Sequence, residues 1–141
     1  MANHSATIRL APNRAALAAL VGWISDFADE AELWPALYQR LAMVCDELAA
    51  NVVHHGARSP KPATFFSIQI DQLADRLALT IEDDGEAFDP LAQPEPDVEA
   101  SIDQREIGGL GIYLIRKMTQ DMRYERADGI NRLCLTLSVN R

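Results

Sequence analysis

The chain has 141 residues, 48% of them hydrophobic, and a formal charge of −8 at pH 7. That size and composition fit one domain over residues 1–141 with one core better than two domains or a disordered tail. No basic block offsets the acidic balance, which disfavours docking along a nucleic-acid backbone.

The longest apolar run, "LAALVGWI", falls far short of the roughly 20 residues that cross a bilayer. No basic, apolar, small-residue leader opens the chain. The expectation is therefore a soluble, cytoplasmic protein with no membrane partner. Cys45, in a predicted helix, and Cys134, in a predicted strand, lack the spacing of a zinc site or redox pair and read as buried reduced thiols.

In chain order, "ATIRL" alternates as a short strand, and Pro12-Asn13 then opens the Ala-rich helix "NRAALAALVGWISDFADEA". A second helix follows Trp34-Pro35 and is expected to stop at Gly56. After the loop "RSPKP" come two strand-like runs, "ATFFSIQIDQ" and "RLALTIED". The joint at Leu73-Ala74-Asp75 is short enough to make them antiparallel neighbours. From Asp83 to Ile107 periodicity dissolves into an acidic segment with three prolines, and loops of that length usually serve as lids or binding loops, or are disordered. A third helix is predicted over Gly109–Met118, then the strand "MRYER", a turn at Asp128-Gly129 and a last strand "NRLCLTLSV". The order predicts an α/β two-layer sandwich, a mixed and mostly antiparallel sheet with helices on one face.

Three stretches carry polar groups where the local pattern does not call for them. In "DELAANVVHHG", Leu37, Leu41, Val44, Leu48 and Val52 gather on one helical arc at 100° per residue, and Asn51 and His55 fall inside or at its edge. A buried polar group without a partner costs roughly 1–3 kcal/mol, so each needs a protein partner or a ligand. Glu47 and Asn51 stack one turn apart. Their oxygens suit a hydrated magnesium ion, which takes few protein ligands, although an E-x-x-x-N pair alone also describes a solvated helix edge.

In "IEDDGEAFDP", Asp83 leaves the sheet, and Gly85 gives the backbone room to approach a flat ligand. A carboxylate there accepts a hydrogen bond from an exocyclic amine such as adenine's. By itself the stretch also fits an acidic turn. In "GGLGIYLIRKM", glycines open a helix whose first amides lack intrahelical partners and whose dipole favours phosphate oxygens. It is neither a P-loop nor a Rossmann turn.

Taken together and in this order, the three stretches resemble the N box and the two glycine boxes of the ATP-binding fold shared by gyrase, Hsp90, histidine kinases and MutL. The compact length and the ending "GLGIYLIRKMTQDMRYERADGINRLCLTLSV" look most like the RsbW and SpoIIAB type, anti-sigma factors that are also serine/threonine kinases of the histidine kinase-like ATPase superfamily. The resemblance implies a Bergerat-type fold that binds ATP and Mg2+, with an ATP lid at about 86–107. It makes Glu47 the catalytic base and Asn51 the magnesium ligand. Asp83 receives the adenine amine with Gly85 beside the base, and Gly108, Gly109, Leu110 and Gly111 cradle phosphates. Arg105 is the nearest basic residue for the terminal phosphate, and a solvated lid charge is an equal reading of it. His55 packs beneath the site and His54 is incidental. Ala87 stands where the family often carries a second glycine.

The implied partners are a STAS-type anti-anti-sigma protein, a sigma factor or other regulatory protein, and a second copy in a homodimer. Two rival readings stand beside this one. The first is a non-catalytic ATP-binding module that sequesters a regulatory protein. The second is the ATPase half of a histidine kinase, which needs a phosphoacceptor helix pair for which 141 residues leave no room.

Overall fold

Pro12-Asn13 acts as the sequence predicts: the Asn13 side chain accepts a hydrogen bond from the Ala16 amide at 3.0 Å and caps the first helix. The computed structural model describes residues 4–92 and 109–140, and of residues 55–58, 110 and 112 the backbone alone. Its elements are β1 (His4–Leu10), α1 (Arg14–Glu30), α2 (Pro35–Arg58), β2 (Phe66–Gln72), β3 (Arg76–Asp83), a 3-10 turn (Pro90–Ala92), α3 (Gly109–Met118), β4 (Gln120–Ala127) and β5 (Ile130–Ser138). The strands form one sheet in the order β1-β2-β3-β5-β4, antiparallel at every pairing. This is the expected two-layer α/β arrangement. Placing β5 between β3 and β4 sets the ends of β3 and β5 side by side.

The core lies between the helices and one face of the sheet. Leu20, Ile24 and Phe27 of α1, Leu37, Leu41 and Val44 of α2, and Ile115 of α3 meet the inward alternate residues of β2, β3 and β5. On α2 the apolar arc is buried from Leu37 through Leu48, but Asn51 and Val52 are only half-buried. The helix therefore leaves the core at its C-terminal part. α1 turns its remaining side to solvent, with Val21 60% exposed. The outer face of the sheet is polar: Arg132 bridges Glu82 at 2.8 Å and Glu125 at 2.9 Å across three neighbouring strands.

β1 and β4 each start two residues earlier than expected, at His4 and Gln120, and three further boundaries differ. α2 runs two residues past Gly56 to Arg58; a glycine in the last helical turn costs about 1 kcal/mol and does not by itself force a stop. β2 begins at Phe66 rather than Ala63, because the amides just before it are taken by a side chain. The Asp84 carboxylate accepts from Thr64 N at 2.6 Å, from Phe65 N at 3.1 Å and from the Thr64 hydroxyl. Burial works against the Asp84 charge, yet these hydrogen bonds outweigh it and hold the carboxyl below its usual range. The expected 86–107 segment contains the 3-10 turn at Pro90–Ala92; its remainder from residue 93 lies outside the described residues.

Both cysteines are free. Cys45 is buried as expected, and its thiol is pushed up to about 12, chiefly by burial and then by Asp46. Cys134 is only half-buried, because it falls on the outward phase of β5. Among the described residues no helix is long and apolar enough to cross a membrane.

Candidate functional site

Where α2 leaves the core, a cavity of about 310 Å3 opens between that helix and the sheet. Its apolar walls are Leu48 and Val52 of α2, Ile81 of β3 and Leu133 of β5. Its polar lining includes Asn51 from α2, Asp83 from the end of β3 and Asn131 from β5. Lys61 and residues 86–88 also line it. An apolar hollow with a few converging polar groups is the usual form of a small-molecule site.

Asp83 is the last residue of β3 and pairs in register with Asn131. Its Oδ1 accepts from Gly85 N at 2.9 Å and from Asn131 Nδ2 at 3.0 Å. Among the described residues Oδ2 accepts nothing. An ionised carboxylate only accepts hydrogen bonds, so this corner of the cavity favours a ligand edge that donates, such as an exocyclic amine. Gly85 is needed here for a reason beyond ligand approach. A Cβ on it would lie 3.1 Å from Asp83 Oδ1 and 3.2 Å from Ala63 Cβ and N, so glycine lets the strand exit press against the loop before β2.

Asn51 lines the cavity, half-buried, and its carboxamide has no hydrogen-bond partner among the described residues. One turn back, Glu47 reaches the head of α3. A Cβ on the buried Gly111 would stand 3.0 Å from Glu47 Cδ, with Oε2 closer still. The carboxylate thus occupies the first turn of α3, where the helix dipole favours an anion. Glu47 lies beside the cavity rather than in its wall. Gly111→Ala is expected to displace this carboxylate into another rotamer while changing stability by no more than about 1 kcal/mol, since alanine suits a helix better than glycine. A crystal structure and a thermal melt of the variant check both parts.

Of the other predicted site residues, Gly109 opens α3. Arg105 and Gly108 lie outside the described residues, as do the side chains of Leu110 and His55. His54 is exposed.

Asn131, which was not among the expected site residues, is the one buried polar side chain among the described residues, at 6% exposure. Its Oδ1 accepts from the Tyr124 hydroxyl, from Arg126 Nη1 at 2.8 Å and from Phe88 N at 3.4 Å. Its Nδ2 donates to Asp83 Oδ1 and, at 2.9 Å, to Glu86 O. The signal was present: Asn131 shares its strand phase with Leu133, Leu135 and Leu137, as Asn51 shares an apolar arc. Lys61 gives no such signal, since in "RSPKP" it reads as an ordinary loop lysine.

No group of three or more His, Cys, Asp or Glu side chains suited to a metal occurs among the described residues. An all-protein cage is therefore not what these residues offer. A partnerless carboxamide oxygen in a cavity fits magnesium, which keeps water and phosphate oxygens as its other ligands.

Residues 10–137 match the family model described as the histidine kinase-like ATPase domain. The chain is 29% identical over 137 residues to the serine/threonine-protein kinase BtrW of Bordetella bronchiseptica, covering 96% of this chain and 95% of that one. It is 28% identical over 95 residues to the serine-protein kinase RsbW of Bacillus subtilis, covering 64% and 58%. Among solved structures, the histidine kinase AdeS of Acinetobacter baumannii aligns over 96% of this chain and 68% of that chain, at 15% identity and a TM-score of 0.46. The resemblance carried by the three boxes is borne out: matched over most of its length and related to kinases of the RsbW type, the chain belongs to the histidine kinase-like ATPase domain family.

Proposed function

We propose that this protein binds Mg·ATP in the α2 cavity and transfers the terminal phosphoryl to a serine or threonine of a STAS-type anti-anti-sigma partner, acting as an anti-sigma regulatory kinase in a partner switch. The observation that carries the reading is the arrangement of Glu47 and Asn51 on one flank of α2. Asn51 enters the cavity that ends at Asp83, and Glu47 meets the head of α3 at Gly111. The kinase names of the relatives support the reaction class.

ATP with its magnesium ion supplies the transferable phosphoryl and much of the countercharge at the transition state. The protein mainly positions groups. Asp83 Oδ2 accepts the adenine amine, while Leu48, Val52, Ile81 and Leu133 cover the faces of the base and keep water from it. Asn51 offers its carboxamide oxygen to the metal, and the first amides of α3 at Gly109 to Gly111 donate to phosphate oxygens. Glu47 takes the proton from the partner's hydroxyl as that oxygen bonds to the terminal phosphorus and the bond to the β-phosphate oxygen breaks, releasing ADP. The segment 86–107 serves as the lid, rooted at residues 86–92. The same chain holds a sigma factor or another regulatory protein in the alternate arm of the switch, and works as a homodimer.

Incubation with γ-labelled ATP, magnesium and the cognate STAS protein tests this. Label is expected on a serine or threonine of the STAS protein. ATP binding with no label transferred would leave a non-catalytic ATP-binding module that sequesters a partner, and the kinase reading would fall.

A further inference from the structure

We propose that Asn131 is a positioning residue for the base-recognition carboxylate: through Asp83 and the backbone of residues 86–88 it sets the preference for a 6-aminopurine. The inference rests on the ATP reading above and deepens it.

Asn131 has two N–H donors and one carbonyl oxygen, and all are engaged. Both donors point to acceptors, Asp83 Oδ1 at 3.0 Å and Glu86 O at 2.9 Å. Oδ1 takes three donors, from Tyr124, Arg126 and Phe88. A flipped amide would set oxygen against two acceptors and NH2 against three donors, so only one orientation is compatible with these neighbours. That orientation has two effects on the cavity. With Gly85 N, the Asn131 amide saturates Asp83 Oδ1. The carboxylate is then locked about its last torsion, with Oδ2 the one oxygen free of protein partners among the described residues. Asn131 also holds Glu86 O and Phe88 N, while Arg126 Nη1, itself bonded to Asn131, donates to Gly85 O at 3.0 Å. The acceptor that reads the base and the chain segment that follows it are therefore fixed by a single buried amide. Hydrogen bonds in such an enclosed network stiffen the groups they join, and a fixed acceptor discriminates better than a rotating one.

The test uses the full chain with magnesium at about pH 8, well above the ordinary carboxylate range. Calorimetry measures ATP against purine riboside triphosphate, which lacks the 6-amino group, for the wild type, Asn131→Asp and Asn131→Leu. The aspartate keeps the shape and the bonds received by Oδ1 but places an acceptor where Asp83 and Glu86 O need a donor. If Asn131→Leu fails to fold, Asn131→Asp alone decides. Wild type is expected to prefer ATP by about tenfold, the worth of a hydrogen bond to a charged acceptor. The variants should lose most of that preference, because ATP binding weakens by several-fold more than binding of the riboside analogue. Variants that keep the preference, or that weaken both nucleotides equally as a merely structural residue would, overturn the proposal. A wild type that binds both nucleotides alike also overturns it. A wild type that binds neither overturns the ATP reading itself.

Discussion

Glu47→Gln is expected to slow phosphoryl transfer to the protein substrate by about 10²–10⁴-fold, the usual contribution of a general base, with Mg·ATP affinity changed by less than about twofold. The substitution keeps the side chain's length and its place against Gly111. What it removes is the ability to take a proton. Single-turnover quench kinetics with saturating partner give the rate of the chemical step, and calorimetry gives the affinity. Transfer that continues within a few-fold of wild type would assign the base elsewhere. A large loss of nucleotide affinity would mean that the carboxylate serves binding rather than chemistry.

The second large effect is on binding. Asn51→Ala is expected to weaken magnesium-dependent ATP binding by about 100-fold or more, because a metal with few protein ligands loses the one that anchors it to the fold. The fold itself should survive. Asn51 is half-buried and bonds to no other described side chain, so truncation orphans no buried partner. A melting temperature within a few degrees of wild type, together with no calorimetric signal for Mg·ATP, is the expected pair of results. Unchanged affinity would remove the metal role from Asn51.

The elements were readable from sequence where local pattern and tertiary context agree. β3 and α3 end where their apolar periods and flanking residues place them, at Arg76–Asp83 and Gly109–Met118. The start of β2 was not readable, because what ends it is a carboxylate from Asp84 twenty residues away, and no local pattern reports such a bond. Asn51, Asp83 and Gly85 were found because each interrupts a pattern, and the fold brings all three to one cavity. Glu47 was found on helical spacing, but its contact with Gly111 depends on how α3 packs. Asn131 was missed although it breaks its strand's phase as plainly as Asn51 breaks its helix. A lone amide in "NRLCLTLSV" draws notice only once its register partner is known to be Asp83.

The turn at Asp128-Gly129 holds both residues at positive φ, 54° and 78°, the backbone of the tightest two-residue hairpin. It joins Ala127 to Ile130 and so sets Arg126 opposite Asn131. A one-residue slip of β5 in that register would flip its side chains to the opposite face of the sheet, taking Asn131 away from Asp83. A surface loop of this kind ordinarily tolerates drift in length. Here that freedom to add or delete residues is withdrawn from the hairpin tip, because an amide of the cavity, Asn131, follows it by two residues.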